Sequence, residues 1–77
     1  MCIARNFHVI IRTESGKFVS NGANLTGEQL TAKMTEAGVK WDVKADDEYF
    51  DKLAYLQVGN RAVLNIQGLV IYVDGAV

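Results

Sequence analysis

The last third of the chain contains two short apolar runs that pair well in one register. Residues 61–66 (RAVLNI) and 69–74 (LVIYVD) flank Gln67-Gly68, which suits a two-residue β-hairpin turn because glycine accepts positive φ. Pairing Ile66 with Leu69 matches every apolar residue with an apolar or uncharged partner, and register fixes which face each side chain takes. The pairs on one face are Leu64–Ile71 and Ala62–Val73, and those on the other are Val63–Tyr72, Asn65–Val70 and the oppositely charged Arg61–Asp74. The sequence therefore predicts a hairpin with a defined core face.

A second alternating segment covers residues 6–13 near the start of the chain and predicts another strand. Its two faces are Phe7, Val9 and Ile11 on one side and His8, Ile10 and Arg12 on the other. Ser15-Gly16 predicts a two-residue turn, which would place Arg12 opposite Val19 and Glu14 opposite Lys17. The return strand is then short, over residues 17–20, and residues 21–24 (NGAN) are expected to form a loop.

Two helices are predicted between these hairpins. Thr26 and Gln29 have the spacing of a capping box, and Gly38 is placed to end the first helix. Residues 39–43 alternate and favour a short strand or an extended connection. Asp46 or Asp47 is expected to cap the second helix, whose apolar stripe comprises Tyr49, Phe50, Leu53, Ala54 and Leu56.

The predicted order is β-β-α-(β)-α-β-β, which indicates an α+β fold. Two helices with one apolar stripe each must cover the same face of a mostly antiparallel sheet, which gives a two-layer sandwich. A chain of 77 residues makes one domain over residues 1–77. The expected core consists of Phe7, Val9, Ile11, Leu64, Ile66, Ile71 and Val73 from the sheet and Leu30, Met34, Phe50 and Leu53 from the helices.

Composition and charge restrict the function classes. The formal net charge is −1, whereas nucleic-acid binders usually carry a basic excess. The single cysteine, Cys2, cannot form an internal disulfide, so the fold is not expected to depend on an oxidising compartment. No signal peptide is recognisable, and the apolar stretch over residues 69–73 is too short to span a bilayer. We therefore expect a free-standing cytoplasmic protein without membrane contact.

The residue types that carry catalysis or bind metals are sparse. Cys2 and His8 lie six residues apart, about 20 Å if that segment is extended, which is too far for a catalytic dyad. One cysteine and one histidine cannot supply the four ligands of a structural zinc site. The acidic run Asp46-Asp47-Glu48 is better explained as a helix N-terminus than as a divalent-ion site. No catalytic, cofactor-binding or metal-binding residue is predicted, and we expect the protein not to be an enzyme.

One predicted surface departs from the pattern of a two-layer domain. The sheet face opposite the core would carry five apolar residues where a solvated face should be polar: Ile10, Val19, Val63, Val70 and Tyr72. With Arg12, Arg61 and Asp74 around them, they have the composition of an interface core with a charged rim. An equally weighted interpretation is that β-branched residues simply form strands well and are tolerated there. Trp41, next to charged residues, is a second candidate anchor for a partner.

These features favour a non-catalytic protein-binding module whose exposed sheet face or edge strand docks on a larger host complex or on a second copy. In size and layout the chain is similar to small inhibitors encoded by phages and mobile elements, such as anti-CRISPR proteins, although no motif assigns it to them. One alternative is weak nucleic-acid binding through the same face, with His8, Arg12, Lys17, Arg61 and Tyr72 as contacts. Another is a self-associating structural subunit, for example a homodimer.

Overall fold

The computed structural model describes residues 2–77, and within that range four strands and two helices form. Their bounds are β1 (Asn6–Thr13), β2 (Phe18–Leu25), α1 (Gly27–Glu36), α2 (Val43–Leu53), β3 (Arg61–Ile66) and β4 (Leu69–Ala76). The strands make one antiparallel sheet in the order β2-β1-β4-β3. Four antiparallel strands with two helices confirm the predicted α+β class.

The β3–β4 hairpin has the register predicted from the sequence, because all six expected residue pairs are Cα partners. Gln67 and Gly68 both have positive φ, 51° and 81°, which a type I′ turn requires. This turn matches the right-handed twist of the two strands, so it starts the ladder at Ile66–Leu69 without a bulge.

Both helices pack on one face of the sheet, α1 over β1 and β2 and α2 over β3. Leu30 and Met34 on α1 are fully buried, and Leu53 on α2 is 6% exposed. All seven core residues predicted from the strands are buried: Phe7, Val9, Ile11, Leu64, Ile66, Ile71 and Val73. The sheet side of the core is therefore as the alternation predicted.

The start of α1 also follows the prediction. Thr26 is the N-cap, its Oγ1 accepts the Gln29 N–H at 3.2 Å, and the Gln29 Oε1 accepts the Thr26 N–H at 2.9 Å. This capping box satisfies two donors that the first helical turn leaves without partners.

The β1–β2 turn differs from the prediction. The Gly16 N–H donates to the Thr13 carbonyl and the Thr13 N–H donates to the Lys17 carbonyl, so three residues, 14–16, form the loop. Gly16 takes the left-handed position at φ 92°, as a three-residue hairpin with a bulge requires. Arg12 therefore pairs with Phe18 and not with Val19, and the predicted Glu14–Lys17 pair is not formed.

β2 is also longer than predicted, because it continues to Leu25 through the residues expected to form a loop. Its pairing with β1 is irregular at two places, between Phe7 and Val9 and between Ile11 and Arg12. Asn24 adopts a φ of 54° and donates its N–H to the His8 Nδ1 at 3.2 Å. Pairing with β1 thus overrides the turn propensity of the NGAN segment, and bulges absorb the mismatch.

The second helix begins earlier than predicted. Its N-cap is Asp42, whose Oδ1 accepts the Ala45 N–H at 2.8 Å, and not Asp46 or Asp47. The optional strand over residues 39–43 is absent from the described chain, because Val43 is already helical. Ala45 and Leu53 are the residues of α2 that are buried. The prediction of Phe50 as a core residue is wrong, since its side chain is 64% exposed.

The hairpin turn is also tied to the connection between the helices. The Gln67 side chain accepts the Lys40 N–H at 2.8 Å through Oε1 and donates to the Lys40 carbonyl at 2.6 Å through Nε2. A single side chain therefore satisfies both backbone groups of Lys40, as a neighbouring strand would.

The chain before β1 closes the other end of the sandwich. The Ala4 N–H donates to the Leu56 carbonyl at 2.7 Å, and Val58 donates to Cys2 at 2.9 Å. β4 passes so close to the connection between α2 and β3 that a Cβ on Gly75 would clash with the Gln57 carbonyl oxygen. Only glycine fits at position 75 without displacing the backbone.

Gln67 both forms the type I′ turn and binds the backbone of Lys40, and one substitution separates these two roles. Asparagine accepts positive φ and suits the type I′ turn, but its shorter side chain cannot reach both backbone groups of Lys40. In Gln67→Asn we expect the Lys40 amide to exchange with deuterium at least about tenfold faster, while the amides of Leu64 and Ile71 keep their protection. Loss of protection along the whole hairpin would show instead that the turn itself depends on glutamine.

Candidate functional site: the open face of the sheet

The face of the sheet opposite the helices, here called the open face, is formed by alternate residues of β1, β4 and β3. Its members are His8, Ile10, Arg12, Arg61, Val63, Asn65, Val70, Tyr72 and Asp74. Their immediate neighbours in sequence point to the core, as in Ile71 and Val73, which are fully buried. The alternation predicted from the sequence therefore assigns the side chains of these three strands to the correct faces of the sheet.

Four of these residues form an apolar cluster: Ile10, Val63, Val70 and Tyr72. Ile10, Tyr72 and Val63 are successive Cα partners on β1, β4 and β3, and Val70 lies in the next row on β4. All four are partly exposed. Val63 and Tyr72 form a non-hydrogen-bonded pair, the kind in which opposing side chains approach most closely. The apolar residues are thus contiguous.

An ion pair bounds the cluster at one end. Arg61 donates from Nε to one Asp74 oxygen at 2.6 Å and from Nη2 to the other at 3.0 Å. The Arg61 guanidinium also lies over the Tyr72 ring, 5.5 Å from its centroid. The hydrogen bond from Arg61 lowers the pKa of Asp74 below its ordinary value, and the same bond raises the pKa of Arg61. The charges at this end therefore neutralise each other.

The other end of the cluster lies near the β1–β2 turn. Arg12 is exposed and donates from Nη1 to the Gly16 carbonyl at 3.2 Å. Its Cα partner on β2 is Phe18, whose side chain is 58% exposed. Val19, which the sequence placed opposite Arg12, lies at the irregularity between the Phe18 and Ser20 pairings and is 36% exposed. Phe18 thus takes the position predicted for Val19.

Cys2 and His8 do not share one extended strand, as the spacing argument assumed. β1 begins at Asn6 and the chain bends at Arg5, so Cys2 lies in the segment that contacts Val58. His8 lies on the open face, where its Nδ1 accepts a backbone N–H. Within residues 2–77 no three histidine, cysteine or acidic side chains come together as metal ligands would.

Trp41 lies away from the open face, on the helical side of the molecule. It packs against the core, and its Nε1 donates to the Thr35 Oγ1 at 2.8 Å. Its ring meets Tyr49 edge to face at 5.5 Å, and Tyr49 meets Phe50 in the same way. Burial raises the pKa of Tyr49. The structure therefore gives Trp41 a packing role beside the core and does not join it to the apolar cluster.

Sequence reasoning missed three exposed aromatic residues: Phe18, Phe50 and Tyr55, of which Tyr55 is 81% exposed. The position of Phe18 could have been predicted, because Gly16 at the third loop position favours a three-residue hairpin. Such a hairpin shifts the β1–β2 register and places Phe18 opposite Arg12. Phe50 belonged to the predicted apolar stripe of α2 but is exposed, and Tyr55, which that stripe did not include, lies just after the end of α2.

Comparison of the chain with protein-family models, with curated proteins and with solved structures gives no match in any of the three. Among the residues that the structure describes, neither helix has the length and apolar character needed to cross a membrane.

The ion pair on the open face makes a specific pH prediction. A depressed carboxyl pKa in the folded state contributes stability above the unfolded pKa of about 3.9, and this contribution is lost as pH falls through the folded value. Asp74→Asn should therefore destabilise the protein slightly near neutral pH, because exposed ion pairs contribute little after solvent screening. The difference from the wild type, measured by urea unfolding, should shrink steadily as the pH falls below about 3.9.

Asp51→Asn is the control, since the exposed Asp51 makes no side-chain hydrogen bond within the described residues. A difference between Asp74→Asn and the wild type that persists or grows at low pH would contradict this account of the pair.

Proposed function

We propose that this chain is a non-catalytic protein-binding module that docks through the open face on an apolar surface of its partner. The observation that carries the proposal is the apolar cluster, which is contiguous across β1, β4 and β3 although it lies outside the core. In a two-layer domain the face opposite the helices is ordinarily polar. An apolar cluster there reduces solubility, and burial against a partner removes that cost.

The arrangement of charges supports an interface over a chance collection of strand-forming residues. Arg61 and Asp74 pair with each other at one end, and Arg12 bonds to its own turn at the other. The centre of the face is therefore free of charge, as the centres of protein interfaces are, and the charged groups lie at the rim. A partner need not supply a compensating charge for either member of the pair.

The same contacts disfavour nucleic acid as the ligand. A base-stacking surface needs an open aromatic face and cations free to meet phosphates. Here the Arg61 guanidinium covers one face of the Tyr72 ring and is itself paired with Asp74. Two of the residues that would contact RNA, Arg61 and Tyr72, are therefore already engaged within the chain.

The dimensions of the face set the strength expected of the interaction. Three strands about 4.8 Å apart and six residues long at about 3.4 Å each give roughly 300 Å². Stable complexes bury about 800 Å² on each partner. One open face therefore suits a modest, reversible interaction, unless neighbouring surfaces contribute.

Within this proposal, the specific role suggested by size and layout is steric inhibition. A small cytoplasmic protein without catalytic groups can act by occupying a surface that a larger complex needs, as phage-encoded inhibitors such as anti-CRISPR proteins do. The residues of this chain do not select among such complexes, so the target is to be found by capture from the native host.

The test pairs two double variants of matched chemistry. Val70→Asp with Tyr72→Asp places two carboxylates in the apolar cluster, on a strand that has no free edge. Val43→Asp with Phe50→Asp replaces one valine and one aromatic residue on α2, where both residues are exposed, at 75% and 64%. Tagged wild-type protein and both variants are used to capture partners from an extract of the native host, after circular dichroism has confirmed folding.

We expect a protein captured by the wild type to be retained by the helical-side variant and lost, by at least about tenfold in affinity, by the open-face variant. Equal capture by both variants would contradict docking through the open face. Capture of nucleic acid alone, weakened by added salt, would contradict the function itself.

A further inference from the structure

The edge of β3 carries unpaired backbone groups whose direction can be worked out from the ladder. Ile66 and Leu69 close the two-residue hairpin as a hydrogen-bonded pair, and such pairs alternate along antiparallel strands. The Gly75 N–H donates to the Asn60 carbonyl, which shows the same alternation at the far end. The N–H and C=O groups of the odd-numbered residues of β3 therefore point away from β4.

Only part of this edge is available for pairing. The outward N–H of Asn65 donates to the Glu48 Oε2 at 3.0 Å, so α2 occupies one end. At the other end the Gly59 N–H donates to the Gly75 carbonyl. Between them, among the described residues, the backbone groups of Arg61 and Val63 have no partner at the edge. The unpaired part of the β3 edge thus has two N–H donors and two C=O acceptors.

The opposite edge of the sheet is protected in a way that β3 is not. β2 is irregular at two places in its pairing with β1, and bulges of this kind discourage pairing with a further strand. β3 is regular over its whole length and contains no proline or lysine, two residues that commonly block edges.

We propose that a second copy of this chain pairs antiparallel with β3 about a two-fold axis at Ala62. In this register Arg61 of each copy forms a hydrogen-bonded pair with Val63 of the other. Four N–H···O bonds result, and they satisfy the unpaired N–H and C=O groups of Arg61 and Val63 in both copies. The bond between Glu48 and Asn65 is retained in each copy, whereas a two-fold axis at Val63 would require it to break.

The side chains fit this register. Ala62 would face Ala62 of the second copy as a non-hydrogen-bonded pair, where the strands approach most closely and a small side chain helps. On the open face the aliphatic stem of Arg61 would cover Val63 of the second copy while its guanidinium stays with Asp74. Because Asp74 neutralises Arg61, the edge does not repel its own copy.

There is also space beside the edge for a further strand. A groove runs between the end of α2 and β3, and it is lined by Asp51, Lys52 and Tyr55 on one side and by Arg61, Ala62 and Val63 on the other. The two charged residues on the α2 side of the groove, Asp51 and Lys52, are opposite in sign, so two copies related by a two-fold axis do not repel each other there. The resulting sheet would have eight strands and would join the two open faces into one of about twice the area.

Hydrogen exchange tests this dimer on the unmodified protein. The amides of Arg61 and Val63 should exchange fast at about 10 µM and become at least about tenfold slower at about 1 mM. The outward amide of Asn21 on β2 is an internal control and should not change. The experiment requires no partner, so its result does not depend on the function proposed above.

Two variants separate the edge from the open face. Val63→Lys would place an ammonium beside Arg61 of the second copy and should weaken dimerisation at least about tenfold in sedimentation equilibrium. Val70→Lys makes the same change on the open face but on a strand without a free edge, and it should dimerise like the wild type.

Three results would overturn the proposal. The first is a monomeric wild type at about 1 mM with unchanged Arg61 and Val63 exchange. The second is a Val63→Lys variant that dimerises normally. The third is equal loss of dimerisation in both variants, which would assign self-association to the open face. If Val63→Lys does not fold, the exchange experiment on the wild type decides alone.

Discussion

The register of the β3–β4 hairpin is the constraint on which the rest of the structure depends. The type I′ turn at Gln67-Gly68 sets Ile66 against Leu69, and this choice sends Leu64 and Ile71 to the core. A slip of β3 by one residue against β4 would exchange the two faces of β3. The same glutamine binds the backbone of Lys40 and so ties the turn to the connection between α1 and α2. Gln67 thus links the choice of which side chains of the hairpin face the core to the placement of the two helices.

The features that the sequence predicted correctly depend on short-range signals. The hairpin, the capping box at Thr26 and the alternation of β1 each lie within a few residues and agree with the final fold. The apolar cluster was found for the same reason, because parity alone places Ile10, Val63, Val70 and Tyr72 on the open face. Local consistency of this kind is typical of sequences that specify one structure.

The features that were missed depend on contacts distant in sequence or on a choice between equivalent signals. β2 extends through residues with turn propensity because β1 offers a pairing edge, which no local pattern reveals. The N-cap of α2 is Asp42 and not Asp46 or Asp47, and Phe50 is exposed although the apolar stripe of α2 included it, because the stripe was broader than the face that the sheet covers. The three-residue β1–β2 loop moved Phe18 to the position expected for Val19.

The open face and the free edge of β3 meet at Arg61 and Val63, which belong to both. Arg61 is paired with Asp74 and lies over Tyr72, so one ion pair neutralises the end of the apolar cluster and the edge beside it. The proposed binding surface and the proposed dimer therefore share a single electrostatic arrangement. Pairing two copies at this edge would enlarge a face that is small by the standards of stable interfaces.

The central claim is that the apolar cluster lies outside the core of a folded monomer. Paramagnetic relaxation by a soluble, uncharged relaxation agent tests it directly, through the methyl resonances of neighbouring residues in dilute protein. The account predicts strong broadening for Val63 and Val70 and little for Leu64 and Ile71, which are fully buried. Equal protection of all four residues would show that the open face is covered. A reversed pattern on β3 alone, with Val63 protected and Leu64 broadened, would show that the hairpin register is shifted by one residue.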